Sequence, residues 1–370
     1  MLAVEELTLY LVEMELVRPF RTSFGATRVK PCILVRVRSR GEEGWGEVVA
    51  DRGPWYSYET VETAWHVITE FVAPLLLGRE LDHPKDVPEV LSPVRGHNMA
   101  KAGVEMAVWD LYSRIEELPL YRVLGGVRRE VESGVSIGIQ KDVDSLLKLI
   151  DGYLSEGYRR IKVKIMPGWD VNVVRRVREE YPDVPLQVDA NGAYTLRDAE
   201  IFKRLDEYSL LMIEQPLSYD DLVDHAALQR SLRTPICLDE SISSYSTARC
   251  ALALGSCRVV NIKPGRVGGH TASLAIHDLC ASRGVPCWVG GMLETGVGRA
   301  HNVALATLPN MKYPNDISAS SRYYERDIVD PPFELTRRGT IPVPEGAGIG
   351  VEVLTSEVER LAKRAVTLRA

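Results

Sequence analysis

Leu186-Gln187-Val188-Asp189, Leu210-Leu211-Met212-Ile213-Glu214 and Pro235-Ile236-Cys237-Leu238-Asp239 are three apolar runs, each ending in a carboxylate 25 residues after the one before. One strand, one helix and two short loops use about 25 to 30 residues, so a constant interval of this size sets equivalent strand ends side by side. Each carboxylate closes an apolar run and is expected to have lost most of its solvent. Three such anions together are a way to hold a divalent cation. The beat continues on both sides. Lys162 and Lys164 lie in Ile161-Lys162-Val163-Lys164-Ile165, and Lys263 follows Val259-Val260-Asn261-Ile262, 24 residues after Asp239. Residues i and i+2 of a strand share a face, so the upstream lysines project together, with the third cation across the anions.

Working outward, strands are expected near 134–139, 160–165, 185–189, 210–214, 235–239, 258–262 and 286–290. They alternate with helical stretches such as 143–154 and 195–207, and a weaker last strand falls around 314–319. Thr195 and Asp198 suit a helix start and Gly157 a stop. Repeated strand–helix units predict an α/β fold with a parallel barrel and function at the C-terminal strand ends. The first part of the chain reads differently. Extended segments at 7–16 and 32–38, a turn at 41–44 and a return at 45–49 precede a helical pattern over 98–117 with a broad apolar face. The expected division is a first unit over 1–125, the barrel over 126–321, and a Pro- and Gly-rich segment over 322–370 that packs back on the first unit.

Composition narrows the function. A chain of 370 residues, 45% hydrophobic, can bury a large core. A net charge of −6 without any Lys/Arg-rich run argues against a nucleic-acid partner. No stretch approaches the ~20 apolar residues that span a bilayer, and the start lacks a secretory pattern, so a cytoplasmic protein with no membrane partner is expected. The six cysteines show no Cys-x-x-Cys pair or zinc spacing and are expected to be reduced and mostly buried.

The chemistry follows from the residue types. Mg²⁺ takes hard oxygen ligands and keeps positions open for water or substrate. Set against its +2, three carboxylates hold the ion and leave room for an anionic substrate, whose charge the ion stabilises when a neighbouring C–H proton leaves. Lys164 is the candidate base, with Lys162 and the metal expected to lower its pKa. Lys263 would reach the substrate from the opposite side, and two bases on opposite faces of one carbon can invert it. Alone, a Lys-x-Lys is commonly a surface pattern and an Asp at a strand end commonly a helix cap; the shared register is what argues for one site. The stretch Gly290-Gly291-Met292-Leu293-Glu294-Thr295-Gly296-Val297-Gly298 lacks the context of a dinucleotide site. It reads as a strand-end loop whose N–H groups face a substrate anion. The histidines at 97, 225, 270, 277 and 301 fall at no ligand spacing and read as structural.

At these residues the chain resembles the enolase superfamily. The resemblance runs through Ala107-Val108-Trp109-Asp110, Leu124-Gly125-Gly126, Lys162-Val163-Lys164, Asp189-Ala190-Asn191, Glu214-Gln215-Pro216, Asp239-Glu240-Ser241 and Lys263-Pro264, essentially the whole chain. The Lys-x-Lys with an opposing Lys is similar to the muconate-lactonizing-enzyme subgroup. The resemblance implies a modified TIM barrel of (β/α)7β type with an α+β capping domain formed by the N-terminal region and the C-terminal tail. It also implies Mg²⁺, with Mn²⁺ able to substitute, on Asp189, Glu214 and Asp239. Lys164 and Lys263 would be the acid/base pair, Lys162 supporting, with Asn191 and Glu240 behind them.

Within that subgroup the chain looks most like the o-succinylbenzoate synthase/N-acylamino acid racemase family. The supporting stretches are Lys263-Pro264-Gly265-Arg266-Val267-Gly268-Gly269, Gly291 to Gly296 and Asp316 to Tyr323. Arg266 resembles an arginine that would tune Lys263 in racemase-capable members. A dipeptide epimerase would show Asp-x-Asp at the eighth strand; Asp316-Ile317-Ser318 fits an acylated amine better. The implied activity is o-succinylbenzoate synthesis by dehydration, racemisation of N-succinyl or other N-acyl amino acids, or both, on a small-molecule carboxylate substrate. A dipeptide epimerase or muconate-type cycloisomerase, and a catalytically silent ligand-binding barrel, are the alternatives. A homo-oligomer is expected. Expected substrate contacts are Phe20 and Phe24 in a lid loop over 19–25, with a second aromatic loop at 53–56, and Ser136, Gly291, Met292 and Ile317. Ordinary packing of those aromatics is the competing reading.

Overall fold

The computed structural model describes residues 2–370. Two long antiparallel strands, Glu6–Thr22 and Gly25–Ser39, are followed by Glu42–Val48. Alternation sets their faces: Val12, Met14 and Leu16 are buried while Glu15 and Val17 are exposed. Ala362–Arg369 adds a fourth strand beside residues 6–12. The helix Asn98–Ile115 packs on this sheet. The approach is close because glycines flank Trp45. A Cβ on Gly46 would stand 2.1 Å from the Gly103 carbonyl, and one on Gly44 would stand 2.3 Å from that of Ala107. The helix is wedged between sheet and barrel and is therefore buried nearly all round, not only along the broad face its sequence suggests. Its buried acids serve that wedge. Asp110 accepts from the backbone N–H groups of Trp45 (2.8 Å) and Ile349 (2.7 Å).

Seven parallel strands follow one another around the barrel: Val135–Ile137, Ile161–Lys164, Leu186–Asp189, Ile213–Glu214, Ile236–Leu238, Val259–Ile262 and Cys287–Val289. The expected helix over 195–207 is broken by 3₁₀ turns at Leu196–Asp198 and Asp206–Tyr208, leaving α-helix at Ala199–Leu205. Gly157, at φ 104°, ends the helix Val143–Glu156. Register explains the sequence beat. Lys164 lies opposite Asp189, Asp189 opposite Glu214, and Glu214 opposite Cys237. Asp239 lies two residues past Cys237, on the same face and one step nearer the mouth.

The eighth position is filled irregularly. Lys312 and Asp316 donate their N–H groups to the Cys287 and Val289 carbonyls (2.8 and 2.9 Å), and Gly134 donates to the Asn315 carbonyl (2.7 Å). Pro314 has no N–H to give, and the Asn315 side chain takes the Val289 N–H at 2.8 Å in place of a ladder bond. The C-terminal part touches both units: Thr340–Pro342 pairs with Glu130–Glu132, and Ala362–Arg369 with the N-terminal sheet. Among the described residues no helix is long and apolar enough to cross a membrane. All six cysteines are unpaired, and all but Cys250 are buried.

Candidate active site at the barrel mouth

Carboxylate oxygens of Asp189, Glu214 and Asp239 lie within 4.8 Å of one another, and all three residues are buried. Three like charges this close in a dry place oppose one another. Burial, with Asp189 and Asp239 beside it, pushes the Glu214 carboxyl up to about 7. Behind it, Glu214 is fixed by Gln187 Nε2 and Asn261 Nδ2, both at 2.7 Å. The donor set is all hard oxygen, which suits a Mg²⁺-like cation and not zinc or copper.

The lysines surround this triad. Lys164 Nζ donates to Asp189 Oδ2 (2.6 Å) and Asn191 Oδ1 (2.7 Å). At the other end Lys263 Nζ donates to Asp239 Oδ2 (2.8 Å) and to the Tyr56 hydroxyl (3.1 Å). Lys162 is held differently from the sequence expectation. Its ammonium meets Asp316 at 2.5 Å, Glu214 at 2.9 Å and Asp189 at 3.3 Å. Burial works against that charge, but the Asp316, Glu214 and Asp189 carboxylates outweigh it and hold Lys162 well above the usual lysine value. Its charge is thus matched by carboxylates and does not bear on Lys164 alone. Asp316, fixed on its other side by Arg160 at 2.7 Å, makes the difference.

Arg266 donates to Asp239, to the Ile242 and Asn261 carbonyls (2.7 and 2.6 Å) and to the Tyr56 hydroxyl (3.2 Å). It shares Asp239 and Tyr56 with Lys263. Asn191 links the Lys164 side to Glu240 through Nδ2 at 2.8 Å. Burial, reinforced by Asp239 and Asp189, pushes Glu240 up to about 8. Asn191 and Gln215 stand just past the strands Leu186–Asp189 and Ile213–Glu214 at φ 45° and 36°, a left-handed backbone that turns the chain sharply after Asp189 and Glu214.

A cavity opens at the barrel mouth beside the triad, reaching it through the lysines that bond to it. Of the sequence-derived contacts, Phe20, Phe24, Ser136, Gly291 and Met292 line it together with Lys162, Lys164, Asn191 and Lys263. Ile317 does not: its side chain is buried in the core, and its neighbour Asp316 faces the cavity instead. The segment 19–25 is no open loop but the end of the long hairpin, with Phe20 paired to Thr27 and Ser23-Phe24 at the turn. It rests on the barrel through Ile139 N–H to the Arg21 carbonyl (2.9 Å).

The Gly-rich loop also differs from its reading. The N–H of Met292 goes to Glu294 (2.8 Å), that of Gly296 to Asp327 (2.7 Å), and those of Thr295 and Gly298 to Glu47 (3.2 and 3.0 Å). Protein carboxylates, not a substrate anion, take these donors. Sequence reasoning missed Tyr56 as a partner of Asp239 and Lys263, and it missed Lys30, Asp51 and Asp316 as cavity residues. Asp316 left a trace, lying one further barrel period beyond the seventh strand, and Tyr56 falls in the aromatic loop singled out at 53–56; Lys30 and Asp51 left none.

Comparison with known proteins bears on this arrangement. Residues 145–357 match the family described as enolase C-terminal domain-like, and residues 6–125 match the mandelate racemase/muconate lactonizing enzyme N-terminal domain. The chain belongs to the enolase superfamily. It is 58% identical to an o-succinylbenzoate synthase of Geobacillus kaustophilus over 358 residues, covering 96% of this chain and 95% of that protein. To an N-succinylamino acid racemase of Thermus thermophilus it is 51% identical over 358 residues, covering 97% of each. A crystal structure of an enolase-superfamily member from Listeria innocua superposes with a TM-score of 0.96 at 41% identity, over 100% of both chains.

In this enolase-superfamily chain the sheet and the barrel are joined by two buried glutamates at helix starts. Glu47, on the sheet, takes the Thr295 hydroxyl (2.6 Å) and N–H groups at the start of Gly296–Ala306. Glu105, on the wedged helix, takes the His270 and Thr271 N–H groups (2.7 and 2.8 Å) at the start of His270–Ser282. Helix N–H groups without an intrahelical partner are taken here by carboxyl oxygens, which accept whether or not the acid is ionised, so each contact ties the two units at a defined point.

Proposed function

We propose that the chain is a Mg²⁺-dependent enzyme that removes the proton next to a substrate carboxylate, acting as an o-succinylbenzoate synthase, an N-succinylamino acid racemase, or both. The observation that carries this reading is the placement of Lys164 and Lys263 at opposite ends of one buried carboxylate triad, both facing a single cavity. The names of the relatives support it. Asp189, Glu214 and Asp239 would hold the ion, which when bound supplies a Lewis acid for the substrate carboxylate and the charge that builds on it.

The chain's own groups account for the remaining work. In dehydration Lys164, as the free amine, takes the proton from carbon; as an ammonium it then gives that proton to the hydroxyl leaving the neighbouring carbon, which departs as water, while Lys263 stays a cation against the anionic intermediate. In racemisation one lysine takes the α-proton while the other, protonated, returns one to the opposite face. Asn191 and Tyr56 orient the two ammonium groups through the bonds described above. Phe20, Phe24 and Met292 keep the cavity apolar and exclude water. An acylated amine fits better than a free ammonium, because both Asp316 oxygens are already taken by Arg160 and Lys162.

The test is α-proton exchange followed by NMR in D₂O with Mg²⁺ and N-succinyl-L-phenylalanine, with optical rotation read in the same sample. Exchange with loss of rotation is expected of the two-base racemase. A folded, metal-loaded protein that exchanges nothing would discard the racemase and leave the dehydratase to be assayed.

A further inference from the structure

Four lysines line the cavity: Lys30, Lys162, Lys164 and Lys263. The last three are bound to the triad. Lys30 is not. It comes from the capping sheet, is 1% exposed, and donates to the Val49 carbonyl at 2.9 Å and to Asp51 Oδ1 at 2.6 Å. An ammonium carries three donors, so two are used and one remains. Burying a charged side chain is costly unless it is paired, and a tie between two strands needs no cation at a cavity wall. The pair is asymmetric as well, since the Asp51 side chain is 25% exposed and the Lys30 side chain 2%.

The proposed substrates share one chemical feature. N-succinyl amino acids and the precursor of o-succinylbenzoate each carry two carboxylates. In the proposed reaction one of them lies beside the triad, at the end of the cavity lined by Lys162, Lys164 and Lys263. The other must lie at a distance, among walls that are mostly apolar, and a second carboxylate there requires a cation.

We propose that Lys30 anchors the second carboxylate, that of the succinyl group, at the capping-sheet end of the cavity. This inference rests on the reading of the site as one for N-succinyl or succinylbenzoate-type substrates. Lys30 then acts on specificity and not on proton transfer, selecting a succinyl group over an uncharged acyl group. Asp51 positions the ammonium and yields part of its hold when the ligand carboxylate arrives.

Calorimetric titration of the Mg²⁺-loaded protein with N-succinyl-L-phenylalanine and with N-acetyl-L-phenylalanine tests the assignment. Lys30→Met should weaken binding of the succinyl compound by roughly 10- to 100-fold, the loss of one charge-assisted hydrogen bond, and change the acetyl compound by less than about twofold. The double variant Lys30→Met/Asp51→Asn leaves no orphaned carboxylate and should repeat the pattern even where the single variant folds poorly. Equal losses for both ligands would mean that Lys30 only ties the sheet together, and no loss for either would mean that it touches no ligand; each overturns the proposal. A wild-type protein that binds both compounds and exchanges no α-proton would instead refute the proposed reaction, while the ratio of affinities would still judge Lys30.

Discussion

At the barrel mouth Lys162, Lys164 and Lys263 each meet a carboxylate, at 2.5, 2.6 and 2.8 Å, whereas the capping side of the cavity offers Phe24 at the hairpin turn, 39% exposed, and the Lys30–Asp51 ion pair. The first region is held from all sides by strand register and buried hydrogen bonds. The second is a hairpin end and a loop, tied to the barrel at single points, among them the Arg21 carbonyl to Ile139, and the Tyr56 hydroxyl to Asp239, Lys263 and Arg266. Chemistry that requires fixed distances sits where the scaffold over-determines position, and choice among substrates sits where the chain can vary without disturbing it.

Removing the proposed base should break this contrast most severely. Lys164→Ala is expected to lower turnover on the order of 10³-fold while Mg²⁺ binding, followed by calorimetry, persists. Comparable turnover in the variant would place the base elsewhere. On the capping side, Phe20→Ala or Phe24→Ala should raise KM for substrates with bulky side chains by roughly 3- to 10-fold and leave kcat nearly unchanged, as lost apolar contact does. A fall in kcat of the same size would mean that the hairpin orders the lysines too.

The smallest effect concerns the glutamates that join the regions. Burial pushes Glu47 and Glu105 up to about 7 from an ordinary value near 4.5. With the folded value raised, the native state keeps these protons while the unfolded chain loses them, so their contribution is fully present below pH ~4.5 and is lost as pH rises through ~7. Melting temperatures of wild type and Glu47→Gln, measured across that window, should diverge by the equivalent of about 1 kcal/mol or more, the wild type losing ground toward pH 7. Parallel curves would show that Glu47 is ionised throughout.

Much of the barrel was legible in the sequence because parallel register converts position into interval. Lys164, Asp189 and Glu214 are partners across adjacent strands, and their spacing says so. The eighth strand was weakly legible because Pro314 and the Asn315 side chain replace regular pairing there. Contacts from the capping unit left no such trace. Tyr56 reaches Asp239 across 183 residues, and Glu47 reaches Thr295 across 248, with no periodicity to link them. Glu47 reads as one polar residue of a short strand, and only the fold reveals the helix start in front of it. Ile317 was misplaced for a related reason: within an irregular segment, alternation does not say which neighbour faces inward, and Asp316 does.

The pairing of Ala362–Arg369 with the first long strand has a further consequence. The hydroxyls of Thr8 and Thr367 bond at 3.1 Å across a separation of 359 residues. During synthesis the strand Glu6–Thr22 precedes this partner by the whole barrel and has to wait with one edge unpaired. Until residues 362–369 arrive, that edge is open to other extended chains and to misassociation.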